Sequence, residues 1–159
     1  MDYRDPIASW KQYGNVCFWR FEAQEYYKFA GWHFNGDEAG CDSLLALLSA
    51  AAEKGEVVRR TVMLASSRSA HQSRVVGLGR NLRVACPEKL RFVYSPEERQ
   101  YCSLNEEAGV LTMTLGPESL REFSGSVSRV RAHDGDFAIG CDSNLHKRGA
   151  LFFWWWLNG

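Results

Sequence analysis

The chain has 159 residues, of which 45% are hydrophobic and 24% charged, and its 19 basic side chains balance 19 acidic ones. That length predicts one domain over residues 1–159, able to bury about 70% of its unfolded surface without a metal or disulfide staple. Zero net charge, shared evenly by the two halves, gives no global field to draw the protein to nucleic acid or membrane.

Asp5-Pro6 ahead of Ile7, Trp10 and Gly14 predicts a short first helix, with Asp5 as cap, Pro6 as first helical residue and Gly14 as stop. The aromatic-rich runs 16–21 and 26–34, separated by Glu22-Ala23-Gln24-Glu25, read as a hairpin. Leu44, Leu47, Leu48, Ala51 and Ala52 form one helical stripe, so residues 43–54 are a helix. Asp42 or Ser43 is placed to cap it, and Gly55 to end it in a left-handed conformation. A strand follows at 57–64, then a polar loop over 66–73 and weaker strand candidates at 74–78 and 82–86.

Residues 90–94 read as a strand, Ser95-Pro96-Glu97-Glu98 as a turn, and 99–104 as the partner strand. Glu106-Glu107-Ala108-Gly109 turns the chain into a strand at 110–115. A second helix at 117–131 buries Leu120, Phe123, Val127 and Val130, weakened by Gly125, since glycine costs about 1 kcal/mol in a helix interior. Strands at 136–141 and 150–157 close the chain. In the last, Phe152, Trp154 and Trp156 share one face while Phe153, Trp155 and Leu157 share the other, the pattern of a strand covered on both sides.

The fold class implied is α+β: a largely antiparallel or mixed sheet of six to nine strands with two main helices on one face. Strand–helix–strand occurs twice, suggesting a pseudo-repeat. The tetrapeptide Gly-Cys-Asp-Ser also occurs twice, at 40–43 and 140–143, but at inequivalent places, and is read as coincidence.

Leu115-Gly116-Pro117-Glu118-Ser119-Leu120, then Gly135-Asp136-Phe137-Ala138-Ile139-Gly140, then Leu151-Phe152-Phe153-Trp154-Trp155 resemble a layout of small uncharacterised bacterial α+β proteins, some of the toxin-immunity type. The resemblance covers the C-terminal third. It implies a partner-binding protein that neutralises a toxin, and it transfers no catalytic residue.

Three constellations bear on chemistry. Cys41, after Gly40 and just ahead of the residue 43–54 helix, sits where helix N–H groups lower a thiol pKa, and His33, His71, His133 or His146 are candidate bases. This makes a Cys41-dependent hydrolase or transferase the alternative from a different functional class; the competing expectation is a small packed side chain. For metal, Cys141 and His146, with His33, Asp37 and Cys41, lack the two tight ligand pairs of a zinc site. No metal and no cofactor are expected.

The third is charge. Residues 57–87 carry no acidic side chain but hold Arg59, Arg60, Arg68, Arg74, Arg80 and Arg83, with His71. Arginine suits bidentate contact with carboxylate or phosphate, so Arg59, Arg68, His71, Arg74 and Arg80 are the candidate binding residues. The bland expectation is a solvated face paired with the acidic turns at 97–98 and 106–107.

Five cysteines without a C-x-x-C argue against a disulfide framework. The first 30 residues lack a signal-peptide core, and the longest apolar run, 150–157, falls short of the about 20 residues a membrane helix needs. The expectation is a cytoplasmic, non-catalytic binding protein with a protein partner. A second copy of the chain, or a phosphate or nucleic-acid ligand on the arginine segment, are the other partners to weigh.

Overall fold

A computed structural model of the chain describes residues 4–22, 30–66, 84–144 and 149–155. These form strands β1 (Val16–Phe21), β2 (Gly31–Gly36), β3 (Val58–Met63), β4 (Val84–Ala85), β5 (Lys89–Tyr94), β6 (Cys102–Glu107), β7 (Val110–Leu115), β8 (Phe137–Ser143) and β9 (Gly149–Phe153). Helix α1 spans Glu38–Lys54 and helix α2 spans Pro117–Arg131. The nine strands make one sheet in the order β3-β5-β7-β6-β8-β9-β2-β1-β4. Five of its joints are antiparallel and three, β2–β9, β5–β7 and β6–β8, are parallel. The class is therefore α+β as expected, with a sheet that is mixed.

Period-two alternation fixes the two faces. Val16 and Phe18 of β1, Trp32 and Phe34 of β2, Leu90 and Phe92 of β5, Leu111 and Met113 of β7, and Leu151 and Phe153 of β9 all enter one core. Leu44, Leu47 and Leu48 of α1 and Leu120, Phe123, Val127 and Val130 of α2 enter the same core, which places both helices against one face of the sheet. The opposite face carries a smaller cluster of Cys17, Trp19, Phe21 and Trp154. β9 pairs with β8 on one flank and β2 on the other, so the terminal aromatic strand is interior. Phe153 faces the helices and Trp154 the smaller cluster, in the expected alternation. Trp155, however, is only half-buried, stacked on His133 at 5.2 Å.

Hairpin, helix and strand pair follow one another twice: β1–β2, α1, β3 with β5, then β6–β7, α2, β8–β9. β6 and β8 of the second half pair in parallel over only Ser103–Asp142 and Leu104–Ser143. β1 and β3 stand far apart in the strand order, yet the Ala65 N–H donates to the Val16 carbonyl at 2.9 Å. The sheet thus curls toward a half-barrel.

Several local expectations are corrected. The segment after Asp5 makes one turn, not a helix: Ile7 N–H donates to Asp5 Oδ1 and Ser9 N–H to the Asp5 carbonyl, both at 2.9 Å. Tertiary bonds then hold the chain in place without regular structure. Trp10 Nε1 donates to the Ser43 carbonyl at 2.7 Å, and the Gln12 amide both accepts from the Met63 N–H and donates to the Met63 carbonyl. That amide occupies backbone groups on the sheet's outer strand, one way proteins blunt an edge.

α1 begins at Glu38, five residues earlier than its apolar stripe suggests, because Asp37 and not Asp42 or Ser43 is the N-cap. Asp37 Oδ1 accepts from the N–H of Gly40 at 2.7 Å and of Asn15 at 2.9 Å, tying the loop before β1 to the helix start. A Cβ on Gly40 would collide with the Asn15 carbonyl, which explains a glycine in the first helical turn. Gly55 ends α1 in the left-handed conformation, as expected.

β5 and β6 do not pair. β7 lies between them, antiparallel to β6 and parallel to β5. Residues 95–101 cross over the end of β7, bonded through Ser95 N–H to the Leu115 carbonyl and Gly116 N–H to the Tyr101 carbonyl, each at 2.9 Å. This crossover passes so close that a Cβ on Gly116 would run into the Glu98 carbonyl.

Candidate functional site

Among the described residues nothing covers the face of the sheet away from the helices on β3, β5 and β7. Arg59, Thr61 and Met63 point there from β3, and the register sets them beside Val93, Arg91 and Lys89 of β5. Those in turn stand beside Thr114, Thr112 and Val110 of β7. The result is a polar lattice with three cations, Arg59, Lys89 and Arg91, all exposed, and no carboxylate on the three strands. Among the described residues none of the three cations lies in an ion pair. Met63 is 54% exposed beside them. Arg59, Thr61, Met63 and Arg91 line one shallow groove together with Arg60.

Of the five binding residues expected from the sequence, only Arg59 falls within the described residues; Arg68, His71, Arg74 and Arg80 lie outside them. Its neighbour Arg60 faces the helices, where Nη2 donates to the Trp10 carbonyl at 2.9 Å and the guanidinium covers the Trp10 ring at 5.5 Å. Arg60 is therefore a packing residue that snorkels over an aromatic ring. Lys89 and Arg91 fall beyond the acid-free run, which ends at Pro87, so charge counting along the chain does not find them. The alternation of Lys89-Leu90-Arg91-Phe92 is the signal that places both on one face. Of the acidic turns, Glu106 meets Arg20 at 3.7 Å, not the arginine segment.

Cys41 lies inside the first turns of α1, fully buried in the main core. Burial first, then the nearby carboxylates of Asp37 and Asp42, push its thiol from 9.0 up to about 12. His33 cannot reach it, because His33 is on the opposite face of β2, between the rings of Trp19 at 4.0 Å and Phe152 at 4.8 Å. Its Nδ1 accepts from Trp154 Nε1 at 3.0 Å. His133 stacks on Trp155, and His71 and His146 lie outside the described residues.

Asp37, weighed as a metal ligand, is the cap of α1. Among the described residues no group of three His, Cys, Asp or Glu side chains is placed to hold a metal ion. Cys141 is bonded to Cys102, a single bridge where the cysteine pattern argued against a disulfide framework; the free cysteines among the described residues are Cys17, Cys41 and Cys86. The bridge joins β6 to β8 one residue before their short parallel pairing, with Cα atoms 5.0 Å apart. Spacing along the chain, 39 residues, gave no sign of it. The two copies of Gly-Cys-Asp-Ser are a helical turn and a strand, unrelated in structure.

The fold and site define an α+β protein with an open basic sheet face and no assembled catalytic constellation among the described residues. Comparison with protein-family models, curated proteins and solved structures finds no match to the chain.

Proposed function

We propose that this is a non-catalytic binding protein whose partner is another protein with an acidic surface, docked on the open face of β3, β5 and β7. The observation that carries it is the triad Arg59, Lys89 and Arg91, exposed and outside any ion pair among the described residues, set around the exposed Met63. Arginine and methionine are enriched at protein interfaces, and a flat lattice of β-strand side chains suits a macromolecule better than a small substrate. The resemblance of the C-terminal third makes a toxin the partner class, and neutralisation by occlusion the mechanism. Zero net charge favours a protein over nucleic acid, which binds through an excess of cations.

The alternative in which Cys41 is a nucleophile has the geometry against it: a fully buried thiol held protonated, with His33 on the opposite face of β2. Residence in the cytoplasm belongs to the same proposal. No helix among the described residues is long and apolar enough to cross a membrane. The Cys102–Cys141 bond weighs against a reducing compartment, where such bonds are rare. Acid-trapped cell extracts decide it: both thiols reduced supports the cytoplasm, both oxidised places the protein elsewhere.

The binding proposal is tested with the product of a neighbouring toxin-like gene. Wild type should form a complex that weakens steeply with salt and should protect cells from that product. Arg59→Glu combined with Arg91→Glu should lose both. Undiminished binding and protection by the folded double variant would reject this face.

A further inference from the structure

A different place in the fold carries unpartnered donors. At the end of the sheet where β1 and β6 finish and β2 and β7 begin, Arg20 and Glu106 reach inward on the helix-facing side. Each is the fifth residue of the first strand in its half. They meet at 3.7 Å, Nη2 to Oε1, with about a fifth of each side chain exposed. That separation is an ion pair but too long for a hydrogen bond. The Arg20 guanidinium carbon lies 5.8 Å from the centre of the Trp32 ring, and Trp32 is fully buried.

Two N–H groups here, Arg20 Nε and Trp32 Nε1, are buried and find no acceptor among the described residues. A buried N–H without an acceptor costs about 1–3 kcal/mol, more when charged, so two on adjoining side chains are an expensive arrangement for packing alone. Both are donors only, and one belongs to a cation. The complement of each is an oxygen bearing negative charge, and here a guanidinium lies over the face of the indole whose N–H is the second donor. Mouths of curled and closed sheets are where small-ligand sites tend to form.

We infer that Arg20 and Trp32 form a binding site for a small oxyanion, a carboxylate or a phosphate, at this mouth, with Glu106 as the internal carboxylate it displaces. The site is separate from the β3–β5–β7 face: Arg59 and Arg91 point to the other side of the sheet.

The test uses the full chain labelled with nitrogen-15, reading the indole N–H signals of its tryptophans, with Trp32 assigned by loss of its signal in Trp32→Phe. Sodium acetate and inorganic phosphate are titrated separately at constant ionic strength, so the two arms tell carboxylate from phosphate. The expected result is a saturable downfield shift of the Trp32 indole proton with at least one anion. It should vanish in Arg20→Gln and tighten roughly twofold to fivefold in Glu106→Gln, the scale of a part-exposed ion pair. No saturable shift with either anion, or saturation that Arg20→Gln leaves unchanged, overturns the site. Should Arg20→Gln fail to fold, Glu106→Gln decides alone: tighter binding supports the site, and equal or weaker binding rejects it.

Discussion

Phe153→Ala tests the interior position of β9 against the half-buried position of its neighbour two residues on. Phe153 is fully buried, with ring centres 5.1 Å from Phe137, 5.5 Å from Phe34 and 5.8 Å from Phe123. It therefore joins β8, β2 and α2 through one side chain. Truncating a core phenylalanine costs about 3–5 kcal/mol, and aromatic pairs add about 0.5–1.5 kcal/mol beyond their buried area. The pairs share one ring and are not additive, so the expected loss is about 4–5 kcal/mol. With a urea slope of about 2 kcal/mol per molar, the midpoint falls by roughly 2 M. Trp155→Ala removes a half-buried side chain with one stacking partner, His133, and should cost about 1–2 kcal/mol. Urea unfolding of both variants, followed by circular dichroism, gives the comparison. Equal losses, or a Phe153→Ala loss below about 1.5 kcal/mol, would refute the placement of β9 between β8 and β2.

Gly125 is exposed within α2, and a methyl group added there would meet open space, with nothing within 4 Å. Gly125→Ala should therefore stabilise by about 0.5–1 kcal/mol in the same assay; a loss would mean that α2 is not regular there. The raised Cys41 thiol stays protonated when folded, whereas the unfolded thiol ionises near 9.0. Its stabilising effect is therefore complete below about pH 9 and is lost as pH rises toward 12. Cys41→Ala should flatten that alkaline decline, and iodoacetamide at pH 8 should modify Cys41 only after unfolding; modification of the native protein would contradict its burial. Thiol titration of the oxidised, denatured chain should find three free cysteines, Cys17, Cys41 and Cys86, and five would contradict the Cys102–Cys141 bond.

Periodicity makes the faces legible and leaves the neighbours hidden. The stripe of Leu44, Leu47 and Leu48 and the bounds of α2 follow from 3.6-residue spacing, and both helices bury those side chains. The inward and outward sides of β5, β7 and β9 likewise follow from alternation. Nothing local, however, tells that β7 inserts between β5 and β6, because hydrophobic alternation fits either neighbour. The first turn of α1 escapes the pattern because Gly40 interrupts the stripe, and its reason is a contact with Asn15, remote in sequence. The same holds for the expected first helix, where Trp10 and Gln12 answer to Ser43 and Met63. For the site, a run of basic residues is a linear signal, but a face is not. Strand geometry splits Arg59 from Arg60 and joins Arg59 to Lys89 and Arg91 across the β3–β5 register. Trp32 and Arg20 read as ordinary strand residues, since an unpartnered N–H is visible only in three dimensions.

The central claim, a protein partner on the open basic face, is tested most directly by hydrogen–deuterium exchange of the chain with and without the neighbouring toxin-like product. Partner addition should slow exchange in peptides covering residues 58–63 and 89–94 and leave the β8–β9 hairpin unchanged. Protection confined to β8 and β9, with residues 58–63 and 89–94 exchanging as in the free protein, would contradict it.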